Sequence, residues 1–180
     1  EKIIDKKPKK LDLIEIDKDL LDSLNMNFQK IKFVKIINQD ILKSNLDFKY
    51  DLIISNLPYN LSSKILEKII RSKNIPKMMI LMFQKEFAER LIAKNLNSIN
   101  SLVNCFFDVK FKFNVSKNCF RPVPKVESCI LKFEKLKRNL IKKNEIESFI
   151  EFKRYIFSYK RKSLRKILKR YDIKDISKLG

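Results

Sequence analysis

Apolar residues recur along this chain in two rhythms that take turns. Residues 11–16 crowd Leu11, Leu13, Ile14 and Ile16 together and stop at Asp17, the pattern of a strand. From 17 to 28 the spacing turns helical, with Leu20, Leu21 and Leu24 recurring and Asp17 placed to cap the first turn. Residues 31–37 predict a second strand, closing on Gln39 and Asp40, and 51–55 a third. The nearly unbroken Leu52, Ile53 and Ile54 predict a parallel strand covered on both faces. That strand runs directly into Asn56-Leu57-Pro58-Tyr59-Asn60. A helix over 61–71 follows, with Ile65, Leu66, Ile69 and Ile70 in one stripe, then a strand over 78–83. Helical spacing returns over 84–94, where Phe87, Leu91 and Ile92 face inward and Glu86 and Arg90 form a favourably ordered outer pair.

Further on, 98–106 predicts a helix, and 109–115 alternates with lysines and asparagine as a half-exposed strand does. Residues 120–125 hold two prolines and cannot be regular structure. Residues 127–133 then close the sheet, antiparallel to the preceding strand. From Leu136 onward the chain is dense in charge and predicts helices over 145–158 and 160–171. The alternation of strand and helix predicts a doubly wound α/β domain over 1–135, with a small basic helical region over 136–180.

Composition narrows the chemistry. A formal charge of +20, from 41 Lys and Arg against 21 Asp and Glu, points to a polyanionic partner, although an AT-rich genome would also raise the lysine content. Nucleic acid and an acidic membrane face both fit. No apolar run approaches the roughly 18 residues that span a bilayer, and the start does not resemble a signal peptide. Cys105, Cys119 and Cys129 are odd in number and not closely paired, which points to reduced, mostly buried thiols in a cytoplasmic protein rather than a disulfide framework or a zinc site. Histidine is absent, which removes the usual general base. Gly180 is the single glycine, so these residues hold no phosphate-cradling glycine loop.

Three strand ends carry candidate chemistry. Asn56-Leu57-Pro58-Tyr59 lies where open α/β sheets place their ligands. The Asn56 amide oxygen and the Pro58 backbone carbonyl can accept the two protons of an exocyclic base amine and aim its lone pair, while Tyr59 can stack on the base. An ordinary Asn-x-Pro turn is the alternative. Glu15 stands where a carboxylate accepts from ribose hydroxyls, or is a surface residue at a strand end. Asp40 can accept from an adenine amine, or caps the next turn. Together these positions predict one crevice. Near the end, Lys162, Arg165, Lys166, Lys169 and Arg170 share one helix side, with Leu164, Ile167, Leu168 and Tyr171 on the other. Such a helix either contacts phosphates or is a solvated surface.

Residues 14–20, 38–42, 56–63, 84–93 and 120–128, in this order and spacing, resemble the small-subunit ribosomal RNA adenine dimethyltransferases, the dimethyladenosine transferases of the kasugamycin-resistance type. Residues 81–91 lean toward archaeal members. The resemblance implies a Rossmann-like methyltransferase sheet using S-adenosyl-L-methionine, with a small C-terminal α-helical appendage. The implied activity is the transfer of methyl groups to two adjacent adenines near the 3′ end of small-subunit rRNA, in ribosome biogenesis. Glu15 is then the ribose ligand, Asp40 with Ile41 the adenine ligand, and Asn56 lies toward the cofactor. Asn56, Leu57, Pro58 and Tyr59 are implied to be catalytic. Phe120 stacks opposite Tyr59 on a flipped adenine, its alternative being a loop aromatic tucked onto the core. Lys162, Arg165 and Lys166 contact rRNA. A monomer without membrane or metal is expected.

The family carries a central strand and a glycine-rich loop ahead of the position of Leu11. Here they are expected to be missing, leaving two half-sheets with an unpaired edge. Residues 95–101 and the short tail also depart from the family. Two other functions stay open: a large-subunit adenine methylase of the erythromycin-resistance type, and a non-catalytic RNA-binding assembly or transcription factor.

Overall fold

A computed structural model describes residues 2–46, 49–159 and 162–168. The chain divides into two compact units, Glu1–Phe48 and Lys49–Gly180. The strand pairing has the expected two half-sheets, one of two strands and one of four.

In the first unit β1 (Leu11–Glu15) pairs in parallel with β2 (Val34–Asn38), and α1 (Lys18–Phe28) connects them. Asp17 caps α1 as its position predicts, its Oδ1 accepting from the Asp19 and Leu20 amides at 2.9 and 3.3 Å. Leu21 is buried, but Leu20 stands exposed, because a two-stranded sheet is too narrow to cover both. The second strand begins at Val34 rather than at Ile31, since the Val34 amide closes a turn onto the Ile31 carbonyl at 2.9 Å.

The second unit holds β3 (Leu52–Asn56), β4 (Met78–Gln84), β5 (Phe107–Val115) and β6 (Ser128–Lys135), in the order β3-β4-β6-β5. The β3–β4 pair is parallel; β6 runs antiparallel to both β4 and β5, as expected for its pairing with the preceding strand. Coverage of β3 on both faces does not hold. It is the edge strand, and Leu52 and Ile54 are 41% and 48% exposed. Burial centres instead on β4, where Met79, Leu81, Met82 and Phe83 are all enclosed.

Helix α2 (Ser62–Arg71) buries all four residues of its stripe, Ile65, Leu66, Ile69 and Ile70. Each contributes about 1.5–3 kcal/mol relative to exposure. In α3 (Lys85–Ile92), Leu91 is buried and Phe87 stacks on Phe83 with centroids 5.3 Å apart. Ile92 was expected inside and is exposed, because the helix stops there and its next residue turns extended. Glu86 and Arg90 are both exposed, and no ion pair joins them among the described residues. Helix α4 covers only Asn100–Val103, since the Asn97 side chain accepts from the Ile99 and Asn100 amides and delays the start.

Helix α5 (Ile146–Ser158) is held by buried Ile146 and Ile150 and by Lys153, whose ammonium donates to Glu67 of α2 at 2.7 Å and to the Ser98 carbonyl at 3.0 Å. Helix α6 (Leu164–Leu168) follows. Cys105 and Cys129 are buried, and burial raises both thiols above their ordinary pKa; Cys119 is exposed. No helix among the described residues is long and apolar enough to cross a membrane.

Candidate active site

In the first unit, strand register brings the two candidate acids to one end of the sheet. Glu15 pairs with Asn38, and the Gln39 amide donates to the Glu15 carbonyl at 3.0 Å, so Asp40 follows directly. The Glu15 carboxylate is oriented by its own turn: Oε1 accepts from the Ile16 and Asp17 amides at 2.7 and 3.0 Å. Asp40 does cap the next turn, its Oδ1 accepting from the Leu42 amide at 2.8 Å. In each case one carboxylate oxygen is engaged by backbone, which fixes the group and leaves the second oxygen as an acceptor. Two oriented acceptors at neighbouring strand ends fit a nucleoside with a vicinal diol and a ring amine. Ile41 beside them is half-buried.

In the second unit Asn56 is the last residue of β3, paired with Met82, and its side chain is exposed. Leu57 is buried and anchors the corner. The Pro58 carbonyl, expected to face the amine, is occupied. It accepts from the Leu61 amide at 3.0 Å and from the Ser62 hydroxyl at 3.3 Å, closing the single 3-10 turn Tyr59–Leu61 that leads into α2. The idle backbone acceptor is the Leu57 carbonyl, which receives no hydrogen bond among the described residues. Tyr59 is half-buried, and its phenol lies 2.6 Å from the Ser128 hydroxyl.

Phe120 lies in the loop between β5 and β6, half-buried, just after a 3-10 turn at Lys117–Cys119. Val115 and Ser128 are paired at the mouth of this loop. Glu127 ties it further, its carboxylate accepting from the Lys117 amide at 3.1 Å and its carbonyl from the Lys85 amide at 3.0 Å. Sequence reasoning missed Ser128 and the Leu57 carbonyl. The signal for Ser128 was its place at the end of the family-like segment 120–128; the choice between the Leu57 and Pro58 carbonyls left none.

Along the basic segment Lys162 and Lys166 are exposed, while Ile167 and Leu168 are buried, so the two-sided pattern holds where it can be seen. The Lys162 ammonium sits 4.5 Å over the Tyr159 ring. Lys169, Arg170, Tyr171 and the side chains of Leu164 and Arg165 lie outside the described residues. No group of three or more Cys, Asp or Glu able to hold a metal occurs among the described residues.

Residues 1–178 match the family model described as ribosomal RNA adenine dimethylase. The chain belongs to the ribosomal RNA adenine dimethylase family. It is 38% identical over 193 aligned residues, 97% of its length, to a ribosomal RNA small subunit methyltransferase A of Mycoplasmopsis pulmonis, of which it covers 74%. To the protein of the same name in Borreliella burgdorferi it is 40% identical over 172 residues, 91% of its length and 59% of the relative's. A crystal structure of a dimethyladenosine transferase from Plasmodium falciparum superposes with a TM-score of 0.80 at 31% identity, covering 90% of this chain and 60% of that one. The 23S rRNA methyltransferase ErmE shares the fold at a TM-score of 0.72 and 20% identity, over 89% of this chain and 66% of that one. The archaeal leaning of residues 81–91 gains no support from these relatives. The fold is the Rossmann-like α/β fold of these methyltransferases, with one sheet of two strands and one of four.

Proposed function

We propose that this protein transfers methyl groups from S-adenosyl-L-methionine to the exocyclic amines of two adjacent adenines near the 3′ end of small-subunit rRNA, as a monomer in the cytoplasm and as a step in ribosome biogenesis. The observation that carries the reading is the corner Asn56–Tyr59: an exposed carboxamide and an idle Leu57 carbonyl stand at one strand end, beside an aromatic ring fixed at its far tip. When bound, the cofactor supplies an electrophilic methyl on a sulfonium. The Asn56 Oδ1 and the Leu57 carbonyl accept hydrogen bonds from the two amine N–H groups, which turns the nitrogen lone pair out of conjugation with the purine. Tyr59 and Phe120 hold the extruded base by its faces. Glu15 takes the ribose hydroxyls, Asp40 with Ile41 takes the adenine, and Asn56 borders the cofactor. Orientation and fixed dipoles suffice for this chemistry, so the absence of histidine is no obstacle.

On this reading residues 1–135 carry the reaction and 136–180 add RNA contact, with Lys162, Arg165 and Lys166 meeting phosphates. The relatives' names, small subunit methyltransferase A, favour small-subunit rRNA as the substrate. Asn56→Ala tests the proposal. Incorporation of labelled methyl groups into small-subunit RNA should fall by about a hundredfold or more, with RNA binding retained. Unchanged incorporation removes the corner from the chemistry.

A further inference from the structure

We infer that Ser128 is a positioning residue for the ring that holds the target base. The inference rests on the reading above that Tyr59 stacks on that base. Ser128 is fully buried at the first position of β6, with Gln84 of β4 paired on one side and Val115 of β5 on the other. Its backbone is therefore fixed from two directions. The hydroxyl stands 2.6 Å from the Tyr59 phenol, across 69 residues of sequence. Tyr59 itself sits in a single 3-10 turn, which is short and has poorer hydrogen-bond geometry than an α-helix, so a second point of attachment at the far end of the ring adds to its placement. Ser128 provides it. The same residue closes the loop that carries Phe120, through its pairing with Val115 and the adjacent Glu127 clasp on the Lys117 amide. One buried hydroxyl thus anchors the ring on one wall and stands at the base of the loop bearing the other. Nothing in this requires the hydroxyl to meet substrate, cofactor or the reacting atoms.

The test compares Ser128→Ala, Tyr59→Phe and the double variant in steady-state methyl transfer, with thermal unfolding and tyrosine near-ultraviolet circular dichroism on the same samples. Each single variant should lower kcat about tenfold, with KM for the methyl donor and for RNA held within about twofold. The double variant should lose no more than either single one, because both remove the same bond. Ser128→Thr keeps a hydroxyl and should restore kcat; Ser128→Cys serves if the added methyl overpacks the site. Additive losses, or unchanged kcat in Ser128→Ala, overturn the inference. Failure of the unaltered protein to transfer methyl groups sinks the proposed function instead. The dichroism then decides the inference alone: a tyrosine signal lost in Ser128→Ala and kept in Ser128→Thr supports a fixed ring, and an unchanged signal overturns it.

Discussion

The two units hold their candidate residues by opposite means. In the first, orientation is local: Glu15 is set by amides one and two residues away, Asp17 by amides two and three away, and Asp40 by the amide of Leu42. In the second it is long-range. Tyr59 is held from 69 residues away, and α5 is fastened to α2 by Lys153 and Glu67 across 86. Hydrophobic enclosure follows the same division, with Leu21 and Leu46 the buried apolar side chains among the described residues of the first unit, against a continuous core around β4 in the second. Local hydrogen bonds can orient acids on a scaffold with little core. Placing a ring and a strand-end amide requires the packed sheet.

The largest test of that contrast is Leu66→Ala. It should cost about 4 kcal/mol in chemical denaturation, and Leu21→Ala clearly less; equal losses would erase the difference. Next is Glu67→Ala, which strands the buried Lys153 ammonium with only the Ser98 carbonyl. A loss of about 3 kcal/mol is expected, and Lys153→Met should cost less, since it removes the more deeply buried charge and leaves the Glu67 carboxylate beside Arg154 at 3.6 Å. Should Lys153→Met prove the more damaging, packing of the lysine stem matters more than the ion pair. Smallest is Asp17→Ala, about 1 kcal/mol, read as faster amide exchange in α1. Exchange that also quickens in α2 or β4 would mean the units do not open separately.

Much of this was legible beforehand. The α2 stripe was plain because four apolar residues at helical spacing admit one buried face, and all four are buried. Asp17 was legible as a cap because capping is decided within three residues. The environment of β3 was not: an apolar run records what a strand tolerates, while its neighbours decide how many faces are covered. Ile92 was misplaced because helical spacing does not tell where the helix stops. Among the candidate residues, Asn56, Tyr59, Glu15 and Asp40 could be named from strand ends, and Glu15 and Asp40 lie at one end of the two-stranded sheet. Ser128 could not be paired with Tyr59, since nothing in either residue's surroundings reveals a partner so far along the chain. The choice of carbonyl at the corner was equally hidden, because it depends on which oxygen the following turn consumes.

That idle oxygen at Leu57 belongs to the main chain, so no exchange of side chain can delete it. Residue scanning at this position will measure only how well a given shape packs beneath the corner, where Leu57 is buried, and an apolar replacement of similar volume will look harmless even when the peptide unit has the role proposed for it. Removing the group calls for altering the backbone itself, as when an ester replaces the amide and weakens the carbonyl as an acceptor.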